Sequence, residues 1–163
     1  MNFKKFCGNI DDYIFFCLTP NKNEAPNSSL VHMCDFFIKS SNKTASGFYL
    51  NNYEKLKVEI QKAQRNKSQF ILIGLSFAIL DLAEKNKFDL AGGQLIETGG
   101  MKNKKKEMVR ENLYDILKEK FNLNSIQSEY GMTELLSQSY SYKNGEFESP
   151  PGKKILIREI TNP

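Results

Sequence analysis

Between Ser128 and Glu134 the chain reads Ser-Glu-Tyr-Gly-Met-Thr-Glu, which packs an aromatic ring, a flexible backbone joint, a hydroxyl and a carboxylate into the five residues Tyr130 to Glu134. A short apolar run precedes this stretch, and Leu135 and Leu136 after it have helical character, so it falls where a strand gives way to a helix. Such a junction suits an anion, because the first amides of a helix are unpaired and its dipole is positive there. Gly131 permits a sharp turn and close approach of a phosphate. Thr133 can donate to a phosphate oxygen, and Glu134 can hold a magnesium ion that bridges to the same phosphate, the usual mode for this ion. Tyr130 offers a flat face on which a base can stack. The same residues also fit a plain glycine turn, with Thr133 starting a helix and Glu134 in its first turn.

The elements that must position this stretch follow from hydrophobic spacing. Residues 1–12 read as the tail of a helix and a turn, and Tyr13 to Leu18 as a buried strand. Ser28 caps a helix whose stripe is Leu30, Val31, Cys34, Phe37 and Ile38, the pattern of a helix packed on a sheet. Gly47 to Leu50 is a short strand, and Asn51 or Asn52 caps a helix with Tyr53, Leu56, Ile60 and Ala63 on one face. Gln69 to Ile73 is a strand, Gly74-Leu75-Ser76 a turn, and Phe77 to Lys85 a largely covered helix. Gln94 to Glu97 is a strand ending in Thr98-Gly99-Gly100. Glu107 to Phe121 is a long amphipathic helix with Val109, Leu113, Ile116, Leu117 and Phe121 inward. Asn124 to Ser128 is a brief strand leading to Glu129 and Tyr130. Phe147 and Lys154 to Ile160 read as strands around the Pro150-Pro151-Gly152 turn, with the isoleucines partly alternating with charge.

This alternation predicts one α/β domain over residues 1–163: a mostly parallel sheet with helices on both faces and a short antiparallel β segment at the C-terminus. Ligands of open parallel sheets lie past the carboxyl ends of the strands. Thr98-Gly99-Gly100 and Glu129-Tyr130-Gly131 both fall at such ends, so the spacing predicts that they meet in one crevice.

Composition narrows the class. The 163 residues are 40% hydrophobic and 26% charged, ordinary for a globular domain with a sizeable core. Twelve Phe and seven Tyr with no Trp imply a Phe-rich core. The longest apolar run, Phe70 to Ala83, is interrupted by Gly74, Ser76 and Asp81 and is too short and polar for a membrane span. The N-terminus has no signal-peptide pattern, and Cys7, Cys17 and Cys34 are widely spaced, so a reduced cytoplasmic setting is expected. Without a Cys-x-x-Cys pair, and with His32 the sole histidine, a zinc site is not expected. His32 lies off its helix stripe, where it can shuttle a proton or cap a loop. The net charge of +4 owes much to Lys102, Lys104, Lys105 and Lys106. This run can attract an anion or form a solvated loop. Aromatics are not interleaved with it, so nucleic-acid binding is not expected. Strand ends near both termini leave homo-oligomerisation open.

Three segments together resemble the acyl-protein synthetase family. They are Ile96-Glu97-Thr98-Gly99-Gly100-Met101-Lys102, then Lys105-Lys106-Glu107-Met108, then Ser128 to Gln138. This family comprises the long-chain-fatty-acid–protein ligases of the bacterial bioluminescence fatty-acid reductase and their relatives, within the adenylate-forming acyl-activating enzymes. Leu18-Thr19-Pro20, Ser28 to Val31, Gly47 to Leu50 and Pro150 to Lys154 fit as well, so the resemblance covers most of the chain.

It implies a two-step reaction. A fatty-acid carboxylate attacks ATP to give an acyl adenylate, and a protein cysteine then accepts the acyl group. By the same resemblance Thr133 contacts phosphate and Glu134 holds Mg²⁺, the two residues carrying catalysis. Tyr130 lines the adenine and Glu129 reaches the base edge. Gly131 belongs to the same motif, and Gly99, Gly100 and Met101 border the adenine and the acyl group. The chain resembles the middle portion of the family's large N-terminal domain. It lacks the family's Ser/Thr/Gly-rich phosphate loop and its ribose-binding segment, and none of its three cysteines matches the acceptor. Weak or absent catalysis by this chain alone is therefore expected, with an inactive nucleotide- or acyl-binding remnant as the alternative.

Overall fold

The computed structural model describes residues 3–85, 88–99, 108–131, 138–141, 145–150 and 152–157. Within them the chain alternates between helices and strands. Helix α1 (Phe3–Cys7) and a 3₁₀ turn (Ile10–Asp12) lead into β1 (Ile14–Leu18). There follow α2 (Ser29–Ser41), β2 (Gly47–Phe48), α3 (Tyr53–Arg65), β3 (Phe70–Leu75), α4 (Ser76–Lys85) and β4 (Gln94–Thr98). The chain continues through α5 (Arg110–Phe121), β5 (Gln127–Tyr130), β6 (Ser139–Ser141) and β7 (Phe147–Glu148). The strands form one seven-stranded sheet in the order β2-β1-β3-β4-β5-β6-β7. Pairings from β2 through β5 are parallel, whereas β5 with β6 and β6 with β7 are antiparallel. The α/β class, the covered sheet and the C-terminal antiparallel segment are therefore as the sequence predicts. Among the described residues no helix is long and apolar enough to cross a membrane.

Strand alternation sorts the apolar residues onto two faces. Phe16, Leu18, Phe70, Leu72 and Leu95 pack against Leu56 and Ile60 of α3, Ile79 and Leu82 of α4, and Leu117 and Phe121 of α5. Phe15, Cys17, Ile71, Ile73 and Ile96 face Phe3 of α1 and Met33, Cys34 and Phe37 of α2. All three cysteines are buried free thiols. Helix starts follow side-chain capping: Ser28 Oγ accepts the Val31 amide at 3.3 Å, and Asn52 Oδ1 accepts the Lys55 amide at 2.9 Å. Asn42 and Asn122 close α2 and α5 in the left-handed conformation.

Several boundaries differ from the sequence reading, each for a physical reason. Gly74 is not a turn residue. It stays within β3, where a Cβ would lie 2.6 Å from Leu18 Cβ on the paired strand, so glycine is there for close approach. Helix α5 begins at Arg110; Val109, expected inward, precedes it and is 64% exposed, while Tyr114 is buried instead. Strand β5 starts later than expected and runs through Tyr130, which makes Glu129 a sheet residue. Strand β6 was not anticipated, because Ser139 and Ser141 carry no apolar signal; its Tyr140 is buried, its ring packing near Phe3 and Phe6. Lys154 to Ile157 is not a strand, and Ile155, Leu156 and Ile157 are exposed; residues 158–160 of that expectation lie outside the described ones.

Candidate functional site

Strands β4 and β5 lie side by side in parallel, with Thr98 opposite Glu129. Their carboxyl ends therefore lie at neighbouring points, β4 ending at Thr98 and β5 at Tyr130. Gly99 turns with φ 72°, a conformation that favours glycine. The two strand ends open onto one crevice of about 530 Å³. Its walls are Thr98 and Gly99 from one strand end, Glu129, Tyr130 and Gly131 from the other, and the start of α2 with Ser28, Ser29 and Leu30. Arg110 and Phe147 close the rim. The volume lies within the roughly 300–1,000 Å³ usual for small-molecule sites, and the start of α2 turns the positive end of its dipole toward it.

Two buried carboxylates stand beneath the crevice, on opposite faces of the sheet because adjacent positions of a strand alternate. On one face Thr98 Oγ1 donates to Glu129 Oε2 at 2.5 Å. Burial raises the Glu129 carboxyl above its ordinary value, and the Glu97 charge adds to this; the Thr98 hydrogen bond and the Lys153 ammonium oppose it. The other Glu129 oxygen curls back over Gly131, where a Cβ would meet it at 2.6 Å. Glycine at 131 thus makes room for the Glu129 side chain.

On the other face Glu97 is 3% exposed. It accepts hydrogen bonds from Ser76 Oγ at 2.5 Å, from Tyr114 OH at 3.1 Å and from Ser128 Oγ. Tyr114 OH and Ser128 Oγ also lie within bonding distance of each other; each has one proton, so that bond forms in place of one of their bonds to Glu97. Ser76 Oγ lies 2.9 Å from the Gly99 carbonyl, tying the start of α4 to the β4 bend. Burial, then the nearby Glu97 charge, pushes the Tyr114 phenol up to about 12. Arg110 Nε stands 3.8 Å from Glu97 Oε1.

The outer wall is aromatic and cationic. Tyr130 is 44% exposed, and its ring meets that of Phe147 edge-on at 6.0 Å. Lys153 Nζ sits 4.7 Å above the Tyr130 ring and donates to Ser139 Oγ at 2.8 Å. The Arg110 guanidinium lies 5.4 Å from the centre of the Phe147 ring.

Of the residues singled out in the sequence, Gly99, Glu129, Tyr130 and Gly131 come together in this crevice. Gly100, Met101, Thr133, Glu134 and the lysine run lie outside the described residues. Among the described residues no group of three His, Cys, Asp or Glu side chains can hold a metal ion, so the magnesium expectation rests on Glu134. His32 takes the capping role, its Nε2 lying 2.9 Å from the Pro26 carbonyl. Sequence reasoning passed over Glu97, Arg110, Ser76, Tyr114, Phe147 and Lys153 as site residues. The available signal was Glu97 itself, a carboxylate in a strand otherwise made for burial. No protein-family model, no curated protein and no solved structure matches this chain.

Proposed function

We propose that this chain belongs with the adenylate-forming acyl ligases and that its crevice takes ATP and a fatty acid. The observation that supports this reading most is the meeting of Gly99 and Tyr130 at adjacent strand ends. Adenine would lie along Tyr130, whose half-exposed ring supplies a stacking surface. Glu129 would meet the base edge. Burial raises that carboxyl above its ordinary value and so favours the protonated form, which can donate as well as accept at the base edge.

The first turn of α2 would steady the phosphates, together with Thr133, which the family likeness assigns to phosphate. Mg²⁺ on Glu134 would offset negative charge on the phosphates. In the reaction the fatty-acid carboxylate oxygen attacks the α-phosphorus and pyrophosphate leaves with the broken P–O bond. A thiolate outside the described crevice then attacks the acyl carbon, and AMP leaves. The chain's own contribution is to hold two anions together and to steady the charge that builds on the phosphate. Its three thiols are buried in the sheet's apolar layers, so in this reading the acceptor cysteine belongs to another chain or segment. A reduced, cytoplasmic setting suits these thiols.

The test is formation of acyl hydroxamate from a long-chain fatty acid, ATP, Mg²⁺ and hydroxylamine. Product above a no-enzyme control supports the reading. ATP binding without product, even with a complementing ligase chain present, would assign the chain to the binding remnant instead.

A further inference from the structure

The acyl-ligase reading leaves one basic residue of the crevice without a role. Arg110 is the first residue of α5, and Val109 before it supplies no side-chain cap. A cation in a helix's first turn opposes the helix dipole, so helix stability does not explain it. Its surroundings hold it in place nonetheless. On one side is the buried Glu97, itself fixed by Ser76, Tyr114 and Ser128. On the other is the Phe147 ring, 5.4 Å away. The contact to Glu97 is 3.8 Å, beyond hydrogen-bond reach, so it orients the guanidinium without consuming its donors. Among the described residues, no other ion pair engages the group, and its side chain is 45% exposed at the crevice rim. A planar fork of donors, aimed by a charge behind it and an aromatic face beside it, is the arrangement that binds phosphate oxygens in pairs.

We propose that Arg110 is the phosphate-gripping residue of this crevice, with Glu97 its positioning residue. It would do by a side chain what a phosphate loop does with backbone amides. The proposal rests on the nucleotide reading for its ligand, but not for its chemistry, since a free pyrophosphate would engage the same fork. Lys153, over Tyr130 on the same wall, adds a second positive charge.

Calorimetry on the full chain separates the two claims, with sodium pyrophosphate, adenosine and ATP plus Mg²⁺ as probes. The wild type should bind pyrophosphate and ATP, and its pyrophosphate affinity should fall with added salt. Arg110→Gln should weaken both by about tenfold or more, the loss of a charge-assisted hydrogen bond, and flatten the salt dependence. Adenosine binding should not change. Glu97→Gln should cause a smaller loss of both phosphate ligands, and Arg110→Lys should recover part of the Arg110→Gln deficit. Circular dichroism and melting temperature confirm that each variant is folded. If wild type and Arg110→Gln bind ATP and pyrophosphate equally, or the folded wild type binds neither, the proposal is overturned. If pyrophosphate binding depends on Arg110 but adenosine and ATP show no base-dependent affinity, Arg110 stands as an anion site and the nucleotide reading falls.

Discussion

Removing the Glu97 carboxylate should unsettle the protein more than any other polar substitution in the crevice. Glu97 is 3% exposed and accepts from three hydroxyls, so Glu97→Ala strips three buried donors of their acceptor at once. A charge-assisted hydrogen bond contributes roughly 1.5–3 kcal/mol net. The full sum does not apply, because Tyr114 OH and Ser128 Oγ can keep each other and the vacated space can admit water from the crevice. The Arg110 pair adds little, since its guanidinium side is 45% exposed. A loss of about 3 kcal/mol is therefore expected for Glu97→Ala, and about 1 kcal/mol for Glu97→Gln, which keeps the shape and one acceptor. Against a total of roughly 5–15 kcal/mol this is large. Urea unfolding at neutral pH, with an unchanged m-value, reads it directly. The pH dependence gives a second readout. The Tyr114 phenol titrates near 12 in the fold and at 10.0 ordinarily, so the folded state holds its proton longer. Its contribution is complete below pH 10 and is lost as pH rises toward 12. Without the Glu97 charge that window should narrow but not close, because burial is the larger cause. A Glu97→Ala loss under about 1 kcal/mol would show that Glu97 does not anchor these hydroxyls, since a buried acceptor of several bonds cannot be that dispensable.

Three other outcomes follow from the geometry. Glu129→Gln should stabilise the protein at neutral pH: burial raises the native carboxyl above its ordinary value, so stability falls as pH climbs from the ordinary to the raised value. Thermal melts from pH 4 to 8 should show the variant's curve flatter than the wild type's, and coincident curves would contradict the assignment. Gly74→Ala should cost about 1–3 kcal/mol in urea unfolding, because its Cβ would lie 2.6 Å from Leu18 Cβ and 3.1 Å from the Leu18 carbonyl, and backbone must move. Tyr130→Ala should weaken ATP about tenfold by loss of one stacked base, while leaving pyrophosphate binding as it was; equal losses for both ligands in calorimetry would argue against stacking.

Much of the scaffold was legible because its signals are local. Ser28 and the Asn51-Asn52 pair mark helix starts, with Asn52 the one that caps, and Leu56, Ile60 and Ala63 mark a buried face, whatever the rest of the chain does. The crevice was half legible: glycines at strand ends predicted that Gly99 and Tyr130 would meet, and parallel pairing of β4 and β5 brings them together. What sequence alone could not show depends on contacts between distant segments. Gly74 has the look of a turn residue, yet its reason is the Leu18 side chain far away in the chain. Val109 fits a helical stripe that the real start of α5 excludes, and Tyr114 enters the interior only because Glu97 and Ser128 supply partners for its hydroxyl. Strand β6 is polar by composition and forms because β5 offers it an edge.

In the proposed function a nucleotide occupies the crevice at the carboxyl ends of β4 and β5. A second cavity of about 380 Å³ lies at the opposite ends of the same strands, among Gly92, Gln94, Asn122 and Gln127, and makes a built-in comparison. Backbone amide chemical shifts recorded while ATP and Mg²⁺ are added distinguish the two. Shifts should concentrate at Gly99, Arg110, Glu129, Tyr130 and Gly131; shifts confined to the opposite cavity, or none at saturating ATP, would rule out a nucleotide in this crevice.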